Sequence, residues 1–179
     1  IKMQWQARDP NNDALVYTLY FKGTDEQKWK LLKDELKETS YVWDTETVPD
    51  GDYQVKVTAS DSVDNPSQAA LEGEKESSAF TIDNTSPHVQ ILEAEKAGKS
   101  RTYRLSVVVS DNAPISTAHY SIDAGEWIPV FPEDGIFDSP RENVVFESAP
   151  LDEGEHTVVL KAVDYYGNIG AGKIVFLAQ

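Results

Sequence analysis

Short runs of alternating apolar and polar residues recur along the chain. Residues 14–21 (ALVYTLYF), 53–60 (YQVKVTAS), 78–83 (SAFTID), 103–110 (YRLSVVVS), 118–123 (AHYSID) and 156–163 (HTVVLKAV) are rich in β-branched and aromatic side chains. Gly, Pro, Asn and Asp clusters bound them. This period-two pattern predicts strands separated by turns. Only residues 25–38 (DEQKWKLLKDELKE) offer good helix formers.

The pattern repeats. Residues 50–65 (DGDYQVKVTASDSVDN) align with residues 153–168 (EGEHTVVLKAVDYYGN) at one constant offset. Gly51 meets Gly154, Val55 meets Val158, Val57 meets Leu160, Ala59 meets Ala162, Asp61 meets Asp164 and Asn65 meets Asn168. Upstream, Trp43 falls on Phe146, Tyr41 on Val144, Tyr17 on Tyr120 and Leu19 on Ile122; Asp9 falls on Asp111 with a one-residue slip. Two copies of one module account for this agreement. The helix-like segment then meets residues 125–135 (GEWIPVFPEDG), where Pro129 and Pro132 forbid a helix. Residues 28–32 are therefore read as a strand and 33–38 as a turn. About seven short strands per module predict an all-β chain of two tandem immunoglobulin-like β-sandwiches, residues 1–86 and 87–179. The second copy has an opening strand, residues 88–100 (HVQILEAEKAGKS), that the first lacks, so module 1 is expected to be missing its first strand. Residues 80–89 (FTIDNTSPHV) join the modules closely, which predicts a semi-rigid pair.

Composition narrows the roles. Hydrophobic residues make up 40%, enough for packed cores. The net charge of −15 argues against a nucleic-acid partner, whose phosphates require a basic surface, and against an anionic membrane face. With no cysteine, thiol catalysis and thiolate metal sites are excluded. No apolar run is long enough for membrane insertion.

Several residues resemble fibronectin type III modules. Trp5 sits mid-strand, where that family places its core tryptophan, and residues 48–57 (VPDGDYQVKV) look like its tyrosine corner, with Tyr53 bonding back upstream. In the second copy His156 replaces the tyrosine and Val107 the tryptophan, which makes it more similar to bacterial Ig-like repeats. The tail patterns resemble the C-terminal region of large bacterial secreted or envelope proteins with an upstream β-propeller. The resemblance implies a non-catalytic, extracytoplasmic bacterial module pair that spaces or presents an upstream domain. Its partners would be that domain, another protein or a glycan.

The acidic loops carry the candidate chemistry. In such a sandwich, residues 9–13 (DPNND) would approach residues 61–65 (DSVDN), and Asp111 and Asn112 would approach Asp164 and Asn168. Asp83 and Asn84 could join the second cluster. Asp83, Asn84, Asp111 and Asp164 are thus the candidate ligands for calcium at the module junction, since Ca²⁺ takes six to eight oxygens. The competing reading is turn chemistry, because Asp and Asn cap local backbone. Tyr165 and Tyr166, in a loop, are the candidates for stacking on a sugar; Trp29 and Trp127 occupy matching, structural-looking places. His88, His119 and His156 lie in predicted strands without a catalytic motif. Asn84-Thr85-Ser86 fits a glycosylation sequon. In residues 131–143, Ile136 and Phe137 are expected to tuck over the sandwich edge.

Overall fold

The computed structural model describes residues 1–66, 68–98 and 101–179. They form two compact units, Ile1–Ile82 and Asp83–Gln179. Residues 83–86, placed with module 1 in the sequence reading, group with the second unit. Both units are all-β, immunoglobulin-like sandwiches.

Unit 1 holds β1 (Lys2–Gln4), β2 (Val16–Gly23), β3 (Lys30–Leu36), β4 (Ser40–Val42), β5 (Gly51–Ser60), β6 (Glu72–Glu76) and β7 (Phe80–Ile82). One sheet is β1-β4; the other runs β3-β2-β5-β6, with β7 also on β5. Alternation along β5 sends Tyr53 and Val55 inward, where they pack with Trp43 and Ile82. Phe21 and Trp43 lie 5.0 Å apart, and Trp43 meets Tyr53 edge-on at 6.2 Å.

Unit 2 holds β8 (His88–Lys96), β9 (Tyr103–Ser110), β10 (Ile115–Ile122), β11 (Ile128–Val130), β12 (Arg141–Glu147), β13 (Gly154–Asp164) and β14 (Ile169–Ala178). Its sheets are β12-β9-β8 and β11-β10-β13-β14. Leu105, Val107 and Val109 from one sheet face Val158, Leu160 and Ala162 from the other. All six are essentially inaccessible, so burial of this layer dominates the unit's stability.

Among the described residues each unit has seven strands, by different routes. Unit 1 splits its last strand into β6 and β7, whereas unit 2 runs β14 unbroken and adds β8 at the start. Among the described residues, unit 1 has no counterpart of β8.

The sheet registers correct three details of the sequence reading. Residues 33–36 of the expected turn are strand: β3 continues to Leu36, with its ladder to β2 kinked by register shifts, and the chain bends only after it. Met3 pairs with Tyr41 as Val107 pairs with Val144, and Trp5 donates to the Thr39 carbonyl. The counterpart of Trp5 is therefore Val109, not Val107. Similarly, Leu19 pairs with Val57 as Tyr120 pairs with Leu160, so Leu19, not Tyr17, matches Tyr120. Extra residues before Asp9, and two more residues between Tyr120 and Leu160 than between Leu19 and Val57, hide this from a linear alignment.

Candidate functional site

The loops at one end of unit 1 do converge. Asp9, Asp13 and Asp61 bring one carboxylate oxygen each within 4.8 Å of one another. Each also has donors of its own. Asp9 accepts the N–H groups of Asn11 (2.7 Å) and Asp13 (3.1 Å). Asp61 accepts Leu71 N–H at 2.7 Å, and Asp13 accepts Asn65 Nδ2 at 3.0 Å. Asp64 accepts Ala14 N–H at 2.9 Å. These bonds close the hairpin onto the neighbouring loop, as Asx turns do.

Unit 2 repeats the clamp and then differs. Asp164, 2% exposed, accepts Asn168 N–H at 2.9 Å and Asn168 Nδ2 at 2.8 Å. The same Nδ2 donates to the Asp83 carbonyl at 2.9 Å, and Asn112 Nδ2 donates to Asp83 Oδ1 at 3.1 Å. Asp83 also accepts Thr85 N–H at 3.0 Å, and Asp111 accepts Asn112 N–H at 2.7 Å. The predicted residues Asp83, Asp111 and Asp164 are thus brought together, with Asn84 half-buried beside Asp83.

What sets this group apart is unmet demand. Asp83 Oδ2 and Asp111 Oδ2 are buried and accept from no donor. None of the Lys, Arg or His ion pairs among the described residues reaches the group. Burial, with the charges of Asp164 and Asp83, pushes the Asp111 carboxyl up, against the opposing Asn112 N–H bond. Uncompensated carboxylates held in one buried place either take up a proton or hold a cation. The donor set of carboxylates, amide oxygens and backbone carbonyls is that of a hard cation such as Ca²⁺. The three do not draw together as tightly as Asp9, Asp13 and Asp61.

His156 is held at both ring nitrogens. His156 Nδ1 lies 2.6 Å from Asp123 Oδ2, and Nε2 lies 2.9 Å from the Asp152 carbonyl. Both ring nitrogens face acceptors, so the doubly protonated ring fits best; the His156 pKa is raised and that of Asp123 lowered. No nitrogen is left to activate a nucleophile. Nε2 spans the same four residues as the Tyr53 hydroxyl, which donates to the Pro49 carbonyl at 2.8 Å. The tyrosine corner is therefore kept in unit 2, built with histidine.

The aromatic candidates do not form a platform. Tyr165 and Tyr166 are exposed, but their rings stand at 88°. Lys22 and Lys56 cover Trp29, and Lys161 covers Trp127 at 4.6 Å. Phe137 packs against the unit 2 core as expected, while Ile136 stays exposed, contrary to the expectation that both tuck in. Glu142, buried, closes this loop by accepting the N–H groups of Asp138 and Ser139. The Asp123–His156 pair had no signal in the sequence, because it depends on pairing between distant strands, whereas the Glu142 clamp is local, reaching back three and four residues.

Comparison with known proteins agrees with the fold. Residues 37–123 match the bacterial Ig-like domain (group 3) family, a stretch that includes parts of both units. No protein of curated function matches the chain. Among solved structures, fibronectin(III)-like modules of Clostridium thermocellum CbhA align over 100% of this chain and 85% of theirs, with 16% identity and a TM-score of 0.44. The FN1–FN3 domains of chicken CNTN1 align over 99% of this chain and 61% of theirs, with 15% identity and a TM-score of 0.41.

Proposed function

We propose that the chain is a non-catalytic pair of sandwich modules that spaces or presents an upstream domain of a larger bacterial extracytoplasmic protein. The observation that carries this reading is that side chains suited to chemistry are spent on closing loops, in the same way in both copies. Asp61 and Asp164 each accept a backbone N–H of their own hairpin, and Tyr53 and His156 each pin their own corner. Scaffold residues recur with the scaffold; a site for one substrate has no need to. Among the described residues no helix is long and apolar enough to cross a membrane, which is compatible with this role.

Replacing the pair in its parent protein by an unrelated two-sandwich segment of equal length tests the reading. A spacer tolerates the exchange, so the upstream domain keeps its activity and display. Loss of either despite normal folding would mean that the pair binds something specific.

The orphaned oxygens of Asp83 and Asp111 favour one addition. Asp83, Asp111 and Asp164 would hold Ca²⁺, with Asn84 close by, and the ion would stiffen unit 2 by offsetting buried charge. The ion is then structural and supplies no chemistry.

A further inference from the structure

The two units treat one edge differently. In unit 2, β8 pairs along β9, with Val89 opposite Val109 and Ile91 opposite Val107. It also passes over β14. A Cβ on Gly170 would lie 1.7 Å from the Pro87 carbonyl oxygen, and one on Gly172 would lie 2.3 Å from that of Val89. Glycine is required where another backbone comes this close.

Unit 1 keeps the first of these glycines. Gly73 pairs with Ala59 as Gly170 pairs with Ala162, so the two are counterparts. Yet nothing lies within 4 Å of where a Gly73 Cβ would sit. Among the described residues, unit 1 also has no counterpart of β8, the strand that pairs with β9. Among the described residues β1 pairs only with β4, and antiparallel alternation turns the N–H groups of Lys2 and Gln4 to the open side. Beside β1 lies a groove of about 1050 Å³, bordered by Met3, Trp5, Leu19 and Val57. A second, of about 350 Å³ and bordered by Gly73, shares Trp5, Val57 and Lys75 with it. The Trp5 indole Nε1–H is buried without an acceptor.

We propose that this groove seats an extended strand, antiparallel to β1, supplied by the segment that directly precedes Ile1 in the full-length protein. Connectivity favours that source: β8 reaches β9 through a short connection, and β1 is the counterpart of β9. Charge favours it as well. Lys2 and Lys75 line the larger groove against one carboxylate, Glu76, in a chain of net charge −15. β8, the pattern for the occupant, carries Glu93 and Glu95. The registers place apolar residues of the strand, two apart, opposite Trp5 and Met3. Lys75 stands where unit 2 has Gly172, so the strand rides higher there and the exposed lysine swings aside.

Hydrogen exchange and thermal melting of the chain, with and without its native preceding segment, test this. The expected result is about tenfold or greater protection of the Lys2 and Gln4 amides and a higher unit 1 melting temperature in the extended chain. Gly73→Val should abolish both gains there and leave melting of the unextended chain unchanged. An extension that alters neither protection nor melting overturns the proposal. So does protection of the unextended chain that grows with its concentration, which would make a second copy the occupant.

Discussion

His156 Nε2 lies 2.9 Å from the carbonyl oxygen of Asp152, four residues back, where the first unit places the Tyr53 hydroxyl 2.8 Å from the carbonyl of Pro49. The same corner is thus fastened by two different side chains. The histidine version has a second attachment, Nδ1 to Asp123, and therefore depends on protonation.

That dependence has a sign. The His156 pKa is raised from 6.5 by its bonds to Asp123 and Asp152, so its contribution is full below pH 6.5 and fades as pH rises through the folded-state value. Asp123 is lowered from 3.8, so its contribution is present above that pH and fades as pH falls through its folded-state value. The melting difference between the native chain and His156→Gln should be widest between these limits and narrow on going to alkaline pH. A difference that is flat with pH would contradict the doubly bonded ring.

Removing the Tyr53 hydroxyl should cost little but measurably. Tyr53→Phe keeps the buried ring and loses one hydrogen bond, which corresponds to about 1 kcal/mol. Denaturant unfolding that follows unit 1 reads this directly.

Gly170 and Gly73 should respond oppositely to alanine. In unit 2 the added methyl collides with the Pro87 backbone and must lift β8, so Gly170→Ala is expected to cost about 1–3 kcal/mol. At Gly73 the space is open, and Gly73→Ala in the same chain should be neutral or slightly stabilising. Urea midpoints of the two variants make the comparison.

Asp111 should behave as a frustrated acid when no divalent cation is present. Its raised pKa means that the ionised form opposes folding, so stability falls as pH rises from 3.8 towards the folded-state value and is recovered as pH falls back through that window. In EDTA, Asp111→Asn should match or exceed the native chain at neutral pH and lose that advantage in acid. Melting curves across that range are the check.

The fold was largely legible because the repeat doubled every signal. Pro129 and Pro132 in one copy showed that residues 25–38 of the other could not be a helix, despite good helix formers. Strand registers were less legible. Extra residues before Asp9 moved Trp5, and the longer stretch between β10 and β13 moved Tyr17, by two positions relative to their counterparts, and only the hydrogen-bond ladders show it. The acidic poles were visible as residue types. Which pole is satisfied was not, since Asp9 and Asp61 find backbone donors in their own loops and Asp13 accepts from the Asn65 side chain, while Asp83 and Asp111 each keep an orphan oxygen. That difference depends on where individual N–H groups point, which a composition of Asp and Asn does not encode.

Loop carboxylates close their own loops in both units, and the proposed cation site is the unit 2 group, where Asp83 and Asp111 each keep an orphan oxygen. Thermal unfolding of the two units, resolved by tryptophan fluorescence and calorimetry in EDTA and in millimolar calcium, tests this most directly. The expected result is a unit 2 transition that rises with calcium and falls back with EDTA, reduced in Asp111→Asn, beside a unit 1 transition that does not move. A unit 2 midpoint indifferent to calcium, or an equal rise in unit 1, would contradict it.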